Sequence, residues 1–587
     1  MSGQLARSAS LCLLLTLLLA LAAAPAQAQS VRIEIEGLEG QPELRENVLA
    51  NLSLQRYRDD AMGEPRLRRL HGRATGEVRR ALRPFGHYQA EVESELRQEN
   101  DRWIAVYRIE PGPRVQVESV EARVEGDGED DRAFQRVLET LPIRAGQPLN
   151  HQHYDQARNR LLEVASRHGY LEARWLERSL MVDPVGGTAR VRLIMETGPR
   201  FRFGETRIEQ DILDDAFVQR YVPFSPGDHY DEQKLVQLQY GLSDSEYFSF
   251  VQIQRDMDNI DEEGRVPIIV ETTQRPKHRY QASLGYGTDT GPRFGVRWDY
   301  RRINRRGHHG ALGYNISQVR RAVELRYVVP LAKPTRERLT WDANAIREDR
   351  GDDLESRRLE LGVGRTTQWG SWQRTHFLRY EQERSIFGPD EESRSEIVVP
   401  GIRITRTRAD DPTLARRGLY LMGEVRGARE EALSDLNFFQ ARIRAKRVQP
   451  LGEDYRLLAR LELGGTGTEN FDQLPLSQRF FTGGDQTIRG YSFEELSPEG
   501  EDGRKLGGRY LAVASLELDR RIRGPWHAAA FVDHGNAMMS FSERLETSAG
   551  MGIRWASPVG MVRLDVAQSI SDTDRSPRLH LSVGPDL

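Results

Sequence analysis

The stretch QRFFTGGDQTIRGYSFEELSP, residues 478–498, decides how the rest of this sequence is interpreted. It combines Gly483, Gly484 and Gly490 with aromatic residues at both ends. Glycine permits backbone angles that other residues resist, so a loop of this composition can fold back tightly on itself. Long loops of this kind are often functional. We therefore expect Arg489 and Tyr491, which flank Gly490, to be held in defined positions.

From about Arg279 onward, apolar and polar residues alternate with a period of two. In one such segment Phe294, Val296 and Trp298 alternate with glycine and charged residues. One face of each predicted strand is apolar and the other is rich in Arg, Glu and Asp, as in a barrel with lipid outside and water inside. A soluble two-sheet sandwich is the alternative, but its buried face would not lie opposite so charged a face in nearly every strand.

The alternating segments predict a 16-stranded antiparallel transmembrane β-barrel over residues 279–587. Eleven candidate strands precede the glycine-rich loop and five follow it. Each strand with its connection then has about 19 residues, and about 10 are enough for a tilted strand to cross a bilayer. We expect the long connection at residues 467–507 to fold inward.

The first half of the sequence contains an internal repeat of about 80 residues. The motif at 85–88, Phe-Gly-His-Tyr, recurs at 168–170 as His-Gly-Tyr and more weakly at 246–248 as Glu-Tyr-Phe. Each occurrence ends a helical pattern and precedes a strand pair, so each copy is predicted to have the order β-α-α-β-β. The copies are expected near residues 29–113, 114–200 and 201–275, which makes the chain multidomain, with three α+β repeats before the barrel.

Residues 1–28 are typical of a signal peptide that is removed on export. Arg7 supplies a positive charge, residues 11–24 are almost entirely apolar, and Ala26-Gln27-Ala28 has the form of a cleavage site. The only cysteine, Cys12, lies in this segment. The mature chain is thus expected to lack disulfides and cysteine metal sites.

Composition and motifs argue against several other classes of function. The net charge is −4, which gives no indication of nucleic-acid binding. The sequence lacks the usual motifs for nucleophilic hydrolysis, phosphate binding and zinc catalysis, so no enzyme activity, cofactor or metal is predicted. The histidine pairs at 151/153 and 308/309 have no further ligands at metal spacing and are interpreted as surface residues.

Several motifs carry a resemblance to a known family. Residues 488–491 resemble the (V/I)RG(Y/F) motif of the BamA/TamA superfamily of outer-membrane assembly and secretion barrels, and 531–536 and 552–560 resemble two of its strand motifs. The repeats resemble POTRA domains, and three copies point to the TamA branch, as does the terminal segment 579–587. The resemblance assigns the loop motif to Gly483, Gly484, Arg489, Gly490 and Tyr491.

This resemblance implies a cell outer-membrane location, with the POTRA domains in the periplasm. It implies assembly or translocation of β-barrel and autotransporter-type clients, without nucleotide, through a lateral seam between the first and last barrel strands. The implied partners are an inner-membrane-anchored periplasmic subunit of the TamB type, reached through the POTRA domains, unfolded clients and outer-membrane lipid. The alternatives are a passive porin-like channel with periplasmic domains and a two-partner-secretion-type transporter.

Two sets of site residues follow from these interpretations. Phe531, Asp533 and Gly535 share one face of a predicted strand, here the lumen, and Asp533 is expected to pair with Arg489. Phe531 would offer the guanidinium an aromatic face, and Gly535 would leave room for the loop. The seam is predicted at Tyr280, Leu284, Leu579, Leu581 and Gly584. The last strand is short and ends in Gly-Pro, so the seam should be the weakest strand pairing, and Leu284 and Leu581 are expected to face each other.

Overall fold

The structure is a computed structural model that describes residues 31–57, 63–99, 102–349, 354–387, 392–411, 413–501, 503, 505–558, 560–572 and 574–584. The predicted signal peptide at 1–28 lies outside the described residues. Within the described chain, no helix has the length and apolar character needed to cross a membrane. The chain forms two compact units, one with residues up to Glu205, Phe224–Leu235 and Arg255–Ile268, and the other with Thr206–Pro223, Val236–Gln254 and Ile269–Leu587.

The first repeat has the predicted order of helices and strands with one additional short helix, α2 at Ser53–Arg56. Its elements are β1 (Val31–Glu36), α1 (Pro42–Asn51), α2 (Ser53–Arg56), α3 (Glu64–Leu82), β2 (Glu91–Glu99) and β3 (Arg102–Glu110). The sheet order is β1–β3–β2, so β3 is central. Helix α3 starts with a proline in its first turn, where a missing N–H costs little. It buries Leu67, Ala74, Val78 and Ala81 against the sheet.

The second copy repeats this arrangement with clearer helix caps. Its elements are β4 (Gln116–Glu125), α4 (Arg132–Glu139), α5 (His151–His168), β5 (Arg174–Asp183) and β6 (Thr188–Glu196), and its sheet order is β4–β6–β5. The side chain of Asn150 accepts from the Gln152 N–H (2.9 Å) and caps α5. Helix α5 ends at Gly169, whose φ of 89° is left-handed.

The third copy differs at the position where the other two have a glycine. Its elements are β7 (Arg202–Glu209), α6 (Asp215–Val218), α7 (Glu232–Asp244), β8 (Phe248–Arg255) and β9 (Arg265–Gln274), with sheet order β7–β9–β8. Glu246 follows α7 with a φ of 61°, a region that disfavours side chains. Its carboxylate pairs with Arg279 (3.2 Å) and Arg301 (3.0 Å), so the barrel holds this residue in place.

The barrel has sixteen strands, eleven before the long loop and five after it, as predicted. The first eleven are β10 (His278–Gly287), β11 (Gly291–Tyr300), β12 (His309–Ile316), β13 (Arg320–Pro330), β14 (Glu337–Asp349), β15 (Leu354–Trp369), β16 (Trp372–Phe387), β17 (Glu392–Ala409), β18 (Gly418–Ala428), β19 (Phe438–Leu451) and β20 (Tyr455–Gly467). The last five are β21 (Tyr510–Arg523), β22 (Trp526–Met538), β23 (Glu546–Ser557), β24 (Gly560–Ser569) and β25 (Arg578–Gly584). Consecutive strands pair antiparallel throughout.

The period-two pattern corresponds to two chemically different faces of the barrel wall. Leu461 and Leu463 of β20 and Leu516 and Leu518 of β21 are exposed on the outside. The alternate residues of β21, including Glu517, are buried on the inside. The apolar side chains therefore face lipid, and the charged ones face a lumen that other parts of the chain fill.

Candidate functional site in the lumen and at the barrel seam

The loop between β20 and β21 folds into the barrel lumen. Phe480, Ile488 and Tyr491 are buried, and they form one apolar cluster with Leu511, Val513 and Ala537 of the barrel wall. Within this loop Arg479 donates to three backbone carbonyl oxygens, those of Leu474 (2.7 Å), Leu506 (2.8 Å) and Asp472 (2.7 Å). The loop therefore has a defined internal structure and packs against the wall.

Arg489 lies at the centre of this arrangement and contacts Asp533. Its Nε donates to Asp533 Oδ2 (2.8 Å) and its Nη2 donates to Oδ1 (2.9 Å), which is a bidentate pair. The backbone N–H of Arg489 also donates to Asp533 Oδ2 (3.1 Å). The guanidinium carbon lies 3.3 Å from the ring centroid of Phe531, so the aromatic face covers the cation. The Arg489 side chain is 3% exposed and that of Asp533 is 0% exposed.

Arg489 is one member of a larger buried charge network. Its Nη1 also donates to Glu517 Oε2 (2.7 Å) and to Asp565 Oδ2 (3.3 Å). Arg554 pairs with the same two carboxylates from the other side. Arg460 adds a third cation, 3.6 Å from Asp533. Three guanidinium groups and three carboxylates thus balance in charge, as burial requires.

Gly490 and Tyr491, which follow Arg489, attach the loop to the last three strands of the barrel. Gly490 has a φ of 95°, and a Cβ there would lie 3.3 Å from Ser548 Cβ, so the turn requires a glycine-like backbone close to the wall. The Tyr491 hydroxyl hydrogen-bonds to Glu546 (2.8 Å) and Ser569 (2.8 Å). The backbone N–H of Gly490 donates to His580 Nε2 in the last strand (2.9 Å).

The glycine pair lies at the opposite end of the motif. Gly483 and Gly484 have φ values of 111° and 99°. A Cβ on Gly484 would lie 2.6 Å from Asp289 Oδ2, in the turn between β10 and β11. The loop therefore approaches the first barrel hairpin as well as the last strand.

The expectation that Gly535 leaves room for the loop is wrong. A Cβ at this position would lie 2.1 Å from the carbonyl oxygen of Ala512, in neighbouring strand β21. The missing side chain therefore permits close approach of two strands and does not make room for the loop. The glycine that lets the loop approach the wall is Gly490.

Further contacts anchor the start of the loop to the opposite wall. Gln478 Nε2 donates to Glu381 (2.7 Å), and the Ser477 N–H donates to Glu383 (3.2 Å), with both acceptors on β16. The loop therefore bridges from β16 to β22, across the lumen.

The seam between β10 and β25 lacks a strand ladder among the described residues. The Thr288 N–H donates to the Leu581 carbonyl oxygen (3.4 Å), and the Leu581 N–H donates to Thr288 Oγ1 (3.3 Å). By contrast, β24 and β25 pair through seven consecutive residues, Met561–Ala567 with Arg578–Gly584. The barrel is consequently open, or nearly so, at this one junction.

The predicted seam residues all lie on these two strands, but their expected register is wrong. Leu581 hydrogen-bonds to Thr288, so Leu284, four positions earlier, is displaced by about 13 Å along the strand. Leu284 is 86% exposed, Tyr280 is 75% exposed and Leu579 is 57% exposed. Gly584 is the last described residue of β25. The edge of β10 that faces β25 thus presents apolar side chains outward, and among the described residues it forms no strand ladder there.

The first two POTRA copies meet at a small polar contact. The Tyr88 hydroxyl lies 2.7 Å from His151 Nε2, and the Val115 N–H donates to the Gly86 carbonyl oxygen (2.9 Å). Burial lowers the pKa of His151 below its ordinary value of 6.5, because desolvation disfavours the charged ring.

Strands β1 and β2 are the edges of the first sheet. Such edges can pair with an added strand.

The sequence interpretation missed several members of the site. Glu517, Arg554 and Asp565 join the Arg489 network, and Asp289 and His580 meet the loop at the seam. One usable signal was present. Glu517, Arg554 and Asp565 occupy lumen-facing positions in strands that alternate apolar and charged residues.

Comparisons with known proteins agree with this architecture. Residues 303–586 match the model of the Omp85 superfamily domain, and residues 32–111 match the model of POTRA domain TamA domain 1. The outer membrane protein assembly factor BamA of Nitratidesulfovibrio vulgaris is 23% identical over 367 residues, which are 60% of this chain and 46% of that protein. The chain thus spans about half the length of this curated relative.

A solved structure supports the assignment of the fold. BamA from Haemophilus ducreyi lacking POTRA domains 1-3 has a TM-score of 0.66 and 14% identity, covering 80% of this chain and 99% of that one. CdiB from Acinetobacter baumannii has a TM-score of 0.46 and 15% identity, covering 81% of this chain and 90% of that one.

A sixteen-stranded barrel that follows three small α+β repeats, the first of them a POTRA domain, defines an outer-membrane protein whose POTRA region lies in the periplasm. The chain carries an Omp85 superfamily domain and a POTRA domain of the TamA type.

Proposed function

We propose that this protein assembles or translocates other outer-membrane proteins, with β-barrel or autotransporter-type clients, through the seam between β10 and β25. The client's strands would pair with the exposed edge of β10, where main-chain hydrogen bonding tolerates many sequences. No nucleotide is needed, because the free energy comes from satisfying strand edges and burying apolar surface in lipid.

The observation that carries the proposal is the unclosed strand ladder. Unpaired backbone groups facing lipid are costly, and barrels normally avoid them by complete closure. Here the two strands share the hydrogen bonds between Thr288 and Leu581 in place of a ladder. Opening this junction therefore disrupts far fewer hydrogen bonds than opening any laddered strand pair.

The length of the barrel strands adds support. At a tilt of about 45°, the seven residues of β25 span about 17 Å of membrane thickness, whereas the 18 residues of β17 span about 43 Å. A wall shorter than the roughly 30 Å hydrocarbon core favours local thinning of the bilayer. Lipid beside the seam would therefore be the part of the membrane that a client enters most easily.

The loop in the lumen argues against the passive porin-like alternative. It is anchored to β16 through Gln478 and to β22 through Arg489, so it crosses the space that a water-filled pore would need. In planar bilayers we expect small and intermittent conductance. A steady, large open conductance would instead support the porin-like function.

The first experiment locks the seam with a disulfide. Continuing the antiparallel register from Thr288 and Leu581 places Tyr286 opposite Val583, both exposed to lipid. The double variant Tyr286→Cys/Val583→Cys should oxidise whenever the two strands come together, because opposite residues of paired strands lie within disulfide distance. We expect the oxidised protein to lose client assembly and to regain it on reduction.

A matched control places a disulfide between β24 and β25, so that the seam between β10 and β25 stays unlinked. Val566 and Leu579 are register partners in β24 and β25, and both are exposed. Val566→Cys/Leu579→Cys should oxidise equally well and retain client assembly. Full activity of the oxidised Tyr286/Val583 protein would contradict lateral opening.

The POTRA domains are proposed to bind an inner-membrane-anchored periplasmic partner of the TamB type. The support is the pair of sheet edges in the first copy, β1 and β2, which are open to strand addition. Deleting residues 29–113 while keeping the signal peptide should leave a barrel that still inserts but no longer co-purifies with the partner. Retention of the partner after this deletion would place its docking surface elsewhere.

A further inference from the structure

Three side chains from separate parts of the barrel meet beside the seam. Asp289 lies in the turn between β10 and β11, Asp485 lies in the luminal loop, and His580 lies in the last strand. One side-chain oxygen or nitrogen from each lies within 4.8 Å of the others. The side chains of Asp289 and Asp485 are 4% exposed, and that of His580 is 2% exposed. This group joins the first hairpin, the loop and the last strand at one point.

The hydrogen bonds of His580 define which of its two ring nitrogens carries the proton. Its Nε2 accepts from the Gly490 N–H (2.9 Å), so that nitrogen carries no proton. Its Nδ1 therefore carries the proton and donates to Asp485 Oδ1 (2.8 Å). Both ring nitrogens are used in this way, which leaves carboxylate oxygens as the available ligands. His580 acts as a positioning residue for Asp485.

The two aspartates have unmet acceptor capacity. Asp485 Oδ1 accepts from His580 and from Thr288 Oγ1 (3.2 Å), whereas no N–H or hydroxyl group of the described residues donates to the buried Oδ2. Asp289 Oδ2 accepts from the Asp485 N–H (2.6 Å). Among the described residues, no Arg or Lys forms an ion pair with either aspartate. The Nε of Arg293, on the same hairpin, donates to Thr290 Oγ1 instead (2.7 Å).

We propose that Asp289 and Asp485 bind a hard divalent cation, Ca²⁺ or Mg²⁺, that bridges the first hairpin of the barrel to the luminal loop. Two buried carboxylates this close need a shared proton or a cation to offset their repulsion, and oxygen donors favour hard divalent cations. Both aspartates line a cavity of about 980 Å³, which gives water access to complete the coordination shell. The POTRA domains precede the start of β10, so the turn at its far end lies on the side of the outer medium.

The bound cation would stabilise the closed seam. It would join Asp289 of the first hairpin to Asp485 of the loop, and His580 connects that same carboxylate to the last strand. Removing the cation would leave two carboxylates close together in a buried position, where they repel. This inference is independent of the proposed client activity, because binding is measured on the isolated protein.

The test begins with the full-length mature protein in a zwitterionic detergent, stripped with a chelator. Ca²⁺ and Mg²⁺ are titrated separately, with K⁺ at matched ionic strength, and binding is followed by calorimetry and by the temperature of barrel unfolding. With few protein ligands we expect a Kd on the order of 10⁻⁴–10⁻³ M. At ten times the Kd, the ratio of folded to unfolded protein should rise about 11-fold.

Two variants and a control separate this site from general salt effects. Asp289→Asn and Asp485→Asn should abolish the cation response and should be as stable as the wild type, or more so, in chelator. Asp342→Asn removes a carboxylate that already pairs with Arg326 (2.8 Å), and it should keep the response. Failure of the wild type to bind either cation would overturn the proposal, as would equal responses in all four proteins. Binding of a transition metal alone that is lost in His580→Gln would also overturn it.

Discussion

Replacing Arg489 by alanine should destabilise the barrel strongly, and the contacts allow the size of the effect to be worked out. The guanidinium makes two hydrogen bonds to Asp533 and one each to Glu517 and Asp565, and it is 3% exposed. Its removal leaves Arg460 and Arg554 against three buried carboxylates, an excess of one negative charge. Breaking a buried pair in this way costs about 3–5 kcal/mol. That corresponds to a loss of roughly 150- to 5,000-fold in the folding equilibrium constant.

Asp533→Ala should cost a similar amount, because it leaves one uncompensated guanidinium. The double variant restores the charge balance, with two cations and two carboxylates remaining. We therefore expect the double variant to be less destabilised than the sum of the single variants, with a coupling free energy of about 2–3 kcal/mol. Arg489→Lys keeps the charge but loses the bidentate geometry, so it should fall between alanine and the wild type.

The assay is reversible denaturant unfolding in detergent, followed by the heat-dependent shift of the folded barrel on gels. Arg326→Ala is the matched control, because its pair with Asp342 is also in the barrel but its side chain is 54% exposed. This change should cost about 1 kcal/mol or less. Strict additivity of Arg489→Ala and Asp533→Ala would refute the reasoning. An Arg489→Ala cost as small as that of the control would refute it as well.

Two further predictions follow from local geometry. Gly490→Ala should destabilise the barrel by about 1–3 kcal/mol, because the φ of Gly490 is 95° and the new Cβ would lie 3.3 Å from Ser548 Cβ. Equal stability of the variant and the wild type in the same unfolding assay would contradict this prediction. Burial lowers the pKa of the His151 ring in the folded protein, so folding favours the neutral ring. The resulting stability is fully present above pH 6.5, the ordinary pKa of histidine. It is lost as the pH falls through the lowered pKa of the folded state. Hydrogen exchange around Tyr88, corrected for intrinsic rates, should therefore become faster in the wild type as the pH is lowered from about 7.5 to 5. The His151→Gln variant should not show this acceleration. An equal response of both proteins would exclude His151 as the cause.

The strand count could be predicted from the sequence because period-two alternation is a local property. Each strand of the barrel has lipid on one side and a charged lumen on the other, and Leu461 and Leu463 show the resulting pattern directly. The POTRA copies were predictable for a similar reason. In the second copy, for example, helix α5 is followed by Gly169, which adopts a left-handed φ of 89°.

The partners of Arg489 could be predicted only in part. Asp533 stood out because it lies in a recognisable strand motif, but Glu517 and Asp565 lie 28 and 76 residues from Arg489. Contacts over such separations depend on how strands are arranged around the lumen, which periodicity does not encode. Those two residues share the alternating pattern of every other strand.

The register of the seam could not be read from the sequence either. Period-two patterns define which face a residue occupies, but β10 and β25 are not joined by a ladder that would align them. The expected partner of Leu581 was Leu284, and the structure places Thr288 there because the short last strand meets the turn of the first hairpin.

The central claim is that a client strand pairs with the edge of β10. The most direct measurement places a photocrosslinking amino acid at Leu284, which is 86% exposed on that edge, in cells that express a stalled client. The control places it at Leu378, which is 47% exposed on the opposite wall in β16. We predict crosslinks from position 284 to the terminal strand of the client and none from position 378. Equal crosslinking at both positions, or none at 284 while the client accumulates, would contradict entry through the seam.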